Sequence, residues 1–255
     1  MNKNRNQDTA YNSPQAQNDS YAYSEDIFFN ESSINIITFD VMRNDSGGIS
    51  KSLYSVDSGS DGYEGLLQSD TKHLDEQPDY DSESSDLSQN GAHIWITVNE
   101  YGEEVVAYDI SPIENEVNGL AAGEEWTDSF VYAIQLGNGT LSWAEITITV
   151  TGTNDAPTLA AGVGVAVEDG PSIDVDLAVL GDDIDSDDDG TTLSYTITTD
   201  PSEGTATITG TTLTFDPGAD FQDLAEGETR QVVIGVTATD SHGATATNDV
   251  TITVT

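Results

Sequence analysis

The segment from Leu120 to Thr151, LAAGEEWTDSFVYAIQLGNGTLSWAEITITVT, aligns without a gap on LAEGETRQVVIGVTATDSHGATATNDVTITVT from Leu224 to Thr255, at an offset of 104 residues. The matches fall at the opening Leu-Ala and Gly-Glu pairs, at Gly139 with Gly243, and at the closing TITVT. A segment repeated at this length means that one structural unit is built twice. Two further landmarks keep the same order. Asn18-Asp19 and then Glu25-Asp26 open the first copy, and Asn154-Asp155 and then Glu168-Asp169 open the second. The boundary falls near Gly152-Thr153. The expected division is a disordered N-terminal segment (1–15), a first unit (16–153) and a second unit (154–255).

Both units read as all-β. Ile146, Ile148 and Val150 alternate with threonines, and Val250, Ile252 and Val254 repeat the pattern, which is the period-two signature of a half-buried strand. Ile94, Ile96 and Val98 alternate before a turn at Asn99-Glu100-Tyr101-Gly102. Ala206–Ile208, a turn at Gly210 and Leu213–Phe215 form a second hairpin. No segment carries a helical period. Short strands separated by Gly, Asp and Asn turns predict two tandem immunoglobulin-like (cadherin-like) Greek-key β-sandwiches. The first unit is lengthened by an acidic, Ser- and Gly-rich insertion at about residues 57–91, which reads as a solvated loop or, alternatively, as a binding loop.

Charge sets the next constraint. The chain has 47 acidic and 6 basic residues, a formal net charge of −41. Two like charges 4 Å apart repel by roughly 4 kcal/mol at an effective dielectric near 20, so a folded chain of this kind calls for a cation. The sign excludes nucleic acid, whose phosphates need Lys and Arg, and disfavours anionic membrane surfaces. Cysteine is absent, which excludes disulfides and thiolate chemistry. No apolar run approaches the roughly 20 residues of a membrane helix. The first residues, MNKNRNQDTAYNSPQAQ, do not read as an ordinary secretory signal.

The densest acidic run is GDDIDSDDDG, from Gly181 to Gly190, with six Asp between positions 182 and 189. Oxygens at every second position (Asp183, Asp185, Asp187, Asp189) suit one calcium ion, although no EF-hand helices flank them. In a sandwich the start of the first strand, the B–C loop and the F–G loop share one end. In the second unit these are Asn154-Asp155, residues 182–190 and Asp240. In the first unit Glu25, Asp26 and Glu124 fall at the end that leads to the linker. The expected calcium ligands are therefore Glu25, Asp26, Glu124, Asn154, Asp155, Asp183, Asp185, Asp187 and Asp240.

Two stretches carry a family resemblance. AAGEEWTDSFVYAIQLGNGTLSWAEITITVTGTNDAP, with the earlier FDVMRNDSGG, resembles the VCBS repeat. NDAP…VEDGP…DDIDSDDDGTTLSYTI…ATDSHGATATNDVTITV is similar to the cadherin-like extender repeats of RTX-type adhesins. The resemblance spans residues 16–255. It implies type I secretion, a place on the bacterial surface within a very large adhesin, and a role in attachment and biofilm formation. The implied partners are neighbouring repeats of the same polypeptide, with the chain a monomer. It also supports Asn154, Asp155 and Asp185 as calcium ligands.

Enzyme chemistry is not expected. Ser241-His242 beside Asp240 reads as a β-turn in which adjacent side chains do not easily form a triad. The three histidines are scattered, which argues against zinc. Trp95 and Trp143 fall on the outward phase of their strands, where the first expectation is that they pack beneath the long insertion and the second that they stand exposed. The alternative function is therefore a module that binds a cell-surface glycan or protein through the insertion and these tryptophans.

Overall fold

The computed structural model describes residues 15–29, 35–60, 66 and 86–255. The disordered segment expected at 1–15 lies outside these residues except for Gln15. Most of the insertion (61–65 and 67–85) lies outside them too. The chain divides into two compact units. Met1–Val117 with Glu125–Thr151 form the first, and Asn118–Glu124 with Gly152–Thr255 form the second.

The first unit is a sandwich. One sheet contains β1 (Asp19–Ser24), β3 (Ser52–Asp57), β7 (Glu125–Gln135) and β8 (Leu141–Thr151), in the order β1-β8-β7-β3. The other contains β2 (Ile36–Phe39), β4 (Asp86–Leu87), β5 (His93–Val98) and β6 (Glu104–Asp109), in the order β2-β6-β5-β4. β1 runs parallel to β8, from Asp19 opposite Ile146 to Ser24 opposite Thr151. Aromatic side chains from both sheets meet between them. Phe39 lies 6.0 Å from Tyr108 and 6.3 Å from Phe130, and Tyr108 stacks on Phe130 at 6.1 Å. All three are buried. The Tyr108 hydroxyl donates to Asp128 Oδ2 at 2.8 Å, which satisfies a polar group that the core would otherwise penalise.

The alternation over Ile146, Ile148 and Val150 holds: these residues are buried, and the intervening threonines are half-buried. The same pattern fails at Trp95. Trp95 is 1% exposed and lies in register with Ala107, which is also buried. Alternation identifies the face a residue occupies, not whether that face is covered. In this unit outward-phase residues are covered as well: Leu66 packs on Val131, Ala133 and Tyr54, and its carbonyl accepts from Ser55 Oγ at 2.9 Å. Trp143 remains 47% exposed. Two single helical turns also depart from the all-strand reading: α1 (Asp26–Phe29), which buries Phe28, and α2 (Glu114–Val117), which buries Val117. Four residues are too few to show a helical period.

The second unit repeats the plan. β10 (Gly162–Ala166), β13 (Ser194–Thr199), β16 (Arg230–Thr239) and β17 (Thr245–Val254) form a sheet in the order β10-β17-β16-β13. β11 (Ile173–Asp176), β14 (Thr205–Thr209) and β15 (Thr212–Asp216) form a second, and β9 (Thr158–Leu159) pairs with β12 (Gly181–Asp182). β10 runs parallel to β17, as β1 does to β8. The hairpin expected around Gly210 joins β14 to β15, with Thr209 opposite Thr212. The core gathers Leu177, Leu213, Phe215, Phe221, Ile234, Val236, Val250 and Ile252. Among the described residues no helix is long and apolar enough to cross a membrane.

Candidate metal centre

At one end of the second unit three acidic segments are fastened to one another. The N–H of Asp155 donates to Asp185 Oδ2 at 2.9 Å, and the N–H of Asp185 donates to Asp183 Oδ1 at 3.1 Å. Asn154 Nδ2 donates to Asp240 Oδ2 at 3.0 Å. The other oxygen of Asp240 accepts from the N–H groups of His242, Gly243 and Ala244, at 2.8, 2.5 and 2.9 Å, in a turn where Gly243 takes a φ of +96°. Glu124 belongs to this unit through Ser186, whose hydroxyl donates to Glu124 Oε2 at 2.8 Å and whose N–H donates to Gly119 O at 2.9 Å.

The loop is held from beneath. Gly190 O accepts from the buried Tyr195 hydroxyl at 2.8 Å. A Cβ at Gly190 would collide with the carbonyl oxygens of Ala178 and Gly181, so only glycine lets the chain pass here.

These fastenings leave an imbalance. Asn154 Oδ1, Asp183 Oδ2 and Asp185 Oδ1 are buried, and no hydrogen-bond donor reaches any of them. Asp185 as a whole is 3% exposed. Burial, opposed in part by the Asp155 amide and reinforced by the charges of Asp183, Asp155 and Asp187, pushes Asp185 up to about 6. Burial raises Asp183 as well, with the charges of Asp240 and Asp188 adding to it. Asp240 goes the other way. Its burial is outweighed by the donors from Asn154, Ala244, His242 and Gly243, which hold it below the ordinary value. Buried carboxylates near one another, with oxygens that no donor reaches, form the donor set a hard cation takes.

Asp187 also groups with Asp188 and His242, one ligand atom from each lying within 4.8 Å of the others. Asp188, which sequence reasoning passed over, accepts from Ser241 N–H at 3.0 Å and from Thr192 Oγ1 at 2.9 Å, tying the two loops together. Glu25 and Asp26 are carried by the first unit. The Glu25 N–H donates to Thr151 O at 3.0 Å, and Ser24 Oγ accepts from the Asp26 N–H at 3.4 Å and donates to Asp26 Oδ2 at 3.3 Å.

Ser241 Oγ and His242 Nδ1 do approach to 3.1 Å, closer than expected of neighbours in a turn. The same nitrogen is the one that faces Asp187, at 3.8 Å. A Ser-His-Asp triad places the serine and the carboxylate at opposite ring nitrogens, whereas here Ser241 and Asp187 both lie at Nδ1.

Residues 154–253 match the bacterial Ig domain family (Big_9). Solved structures with which the chain shares similarity include extracellular cadherin domains 1–4 of protocadherin gamma B7 (12% identity, 95% of this chain and 51% of that one, TM-score 0.39). They also include the human desmocollin-1 ectodomain (11%, 95% and 40%, TM-score 0.41) and domains EC1–3 of protocadherin gamma C5 (12%, 94% and 67%, TM-score 0.46). The chain spans about half or less of the first two. No curated protein sequence matches it.

Proposed function

We propose that this chain is a calcium-binding repeat module of a large, secreted bacterial surface adhesin, serving to extend and stiffen the parent protein in attachment and biofilm formation. One observation carries the reading: within this one acidic cluster of the second unit, oxygens of Asn154, Asp183 and Asp185 are buried and no donor reaches them. Calcium takes six to eight oxygens, and Asn154, Asp155, Asp183, Asp185, Asp240 and Glu124 supply them. Glu25, Asp26 and Asp187 join this ligand set on the sequence reading alone. The Ig-domain match over 154–253 supports an extracellular, non-catalytic role. The VCBS and RTX-adhesin resemblance, type I secretion, neighbouring repeats as partners and a monomeric chain belong to the same proposal.

Calorimetric titration with calcium after chelation tests it. Binding heat together with a rise in melting temperature is expected; neither heat nor a rise would refute the reading. An alternative, recognition of a glycan or peptide, now rests on Trp143, since Trp95 is buried. Glycan-array signal lost in Trp143→Ala would favour it.

A further inference from the structure

In the second unit β10 stands at the end of its sheet, and among the described residues β17 is its only strand partner. The bonds at the end of this pair show which groups it uses. Thr255 N–H donates to Ala166 O, and Glu168 N–H donates to Thr255 O, both at 3.0 Å. Successive residues of a strand turn their N–H and C=O to opposite sides. Gly162, Gly164 and Ala166 therefore aim their main-chain groups at β17. Val163 and Val165 aim theirs the other way, along the open edge.

The side chains of this strand are the reverse of what a core draws in. Val163, Val165 and, just past the strand, Val167 face outward and are 81, 66 and 55% exposed, while Gly162 and Gly164 face inward. A slip by one residue would turn the valines inward, but the space is already filled. A Cβ at Gly162 would lie 2.9 Å from Leu180 Cδ1, and one at Gly164 would lie 2.7 Å from Ile252 Cδ1. Nor does the fold require valine outside. β1, which pairs with the last strand of the first unit in the same way, turns Tyr21 and Tyr23 inward and carries Ser20, Ala22 and Ser24 on its outer face.

Charge selects the occupant. Ala156 to Val167 is twelve residues without a charged side chain, in a chain of net charge −41. The neighbours on the outer face are uncharged too. Val163 lies in register with Thr251 and then Val233, and Val165 with Thr253 and then Gln231. Charge returns on β17 only at Asp249. On β11, Asp174 and Asp176 alternate with Ile173 and Val175, which pack on the core, so these acids lie on the outer face of the other sheet. A basic foreign strand is drawn to carboxylates, and the outer face beside β10 offers none. Here two copies of the chain can meet without setting acid against acid.

We infer that two copies of this chain dock β10 against β10, antiparallel about a two-fold axis at Gly164, with Val163 and Val165 of each copy exchanging main-chain hydrogen bonds with Val165 and Val163 of the other. Residues opposite one another in an antiparallel pair carry their side chains on one face, so each valine also packs on a valine. The two open edges cover each other, and the assembly closes as a dimer. A pair of five-residue strands covers less surface than the about 1,200–2,000 Å² that a stable complex buries. Dilute chains therefore stay monomeric, as in the function proposed above, and crowded chains pair.

Sedimentation equilibrium of the full chain tests this, without added calcium because no ion takes part in the pairing. The mass is expected to be that of a monomer at about 10 μM and to climb toward twice that value at about 1 mM. The climb should steepen in about 0.5 M salt, which screens the repulsion between copies. Val165→Glu puts a charge at an exposed position; it should leave the melting temperature unchanged and weaken pairing roughly tenfold or more. Hydrogen exchange at the Val163 and Val165 amides should slow over the same concentration range. A chain that is monomeric at every concentration and salt leaves the edge to a foreign strand and overturns the inference. A dimer that Val165→Glu does not weaken, or one that leaves both amides exchanging as fast as in the dilute chain, forms through another surface and overturns it equally.

Discussion

The N–H of Asp155 donates to Asp185 Oδ2 at 2.9 Å, while Asp185 Oδ1, on the same carboxylate, is buried with no donor. One oxygen thus fixes the orientation of the group and the other stays open. On the proposed calcium reading the geometry is set before the ion arrives, which lowers the ordering cost of binding.

Asp185→Asn keeps the shape and removes the charge. It is expected to weaken calcium by about tenfold or more, equivalent to roughly 1.4 kcal/mol, in calorimetric titration. In chelator the variant should melt no lower than the unsubstituted chain, since it loses a charge that burial and neighbouring carboxylates already oppose. A variant that binds calcium normally would remove Asp185 from the ligand set.

Acidity should act in opposite directions with and without the ion. Asp185 is raised to about 6, so the metal-free fold holds its proton more tightly than the unfolded chain does. That contribution is present below the ordinary carboxylate value and fades as pH climbs through about 6. In chelator, second-unit unfolding followed by circular dichroism should therefore be easier at about pH 7.5 than at about pH 5. Calcium competes with the same proton, so its apparent affinity should drop as pH falls through that window.

Gly190→Ala places a methyl group against the carbonyl oxygens of Ala178 and Gly181 beneath the acidic loop. Backbone cannot yield as a flexible side chain can. A loss of roughly 2 kcal/mol or more is expected in denaturant melts, with weaker calcium binding, because this loop carries Asp183 and Asp185.

Tyr108→Phe removes the donor to Asp128 Oδ2 inside the first core and leaves a buried carboxylate oxygen short of its partner. The expected cost is about 1–3 kcal/mol, read from tryptophan-detected unfolding. No change would mean that the backbone donors Asn90 and Ser129, both on Asp128 Oδ1, suffice to hold the group.

The tryptophans should separate by quenching. Trp143 is 47% exposed and Trp95 is 1% exposed, so acrylamide should reach the first and spare the second. Trp95→Ala is expected to cost about 3–5 kcal/mol, whereas Trp143→Ala should stay within about 0.5 kcal/mol.

Much of the fold was legible because strand alternation is a local signal. Ile146, Ile148 and Val150 face inward because every second side chain must. Whether the opposite face is also covered depends on residues distant in sequence, as where Leu66 packs on Val131 and Ala133, so alternation alone did not decide between a packed and an exposed Trp95. The acidic loop was legible in content but not in detail. The segment turns instead of running extended, so a spacing of two does not by itself set the side each carboxylate takes. Three consecutive aspartates then take separate tasks: Asp187 toward His242, Asp188 toward Ser241 and Thr192, and Asp189 onto Thr191 and Thr192. Identical side chains in a row give no local means of telling these roles apart.

The parallel pairing of an early strand with the last strand has a mechanical consequence. β1 beside β8, and β10 beside β17, lie side by side near the start and at the end of each unit and point the same way. Tension applied at the two ends of a unit therefore pulls these strands past each other lengthwise. Six rungs from Asp19 to Ser24, and five from Gly162 to Ala166, bear the load together instead of opening one at a time like a zip. Each unit is wired to resist stretching along its own chain direction.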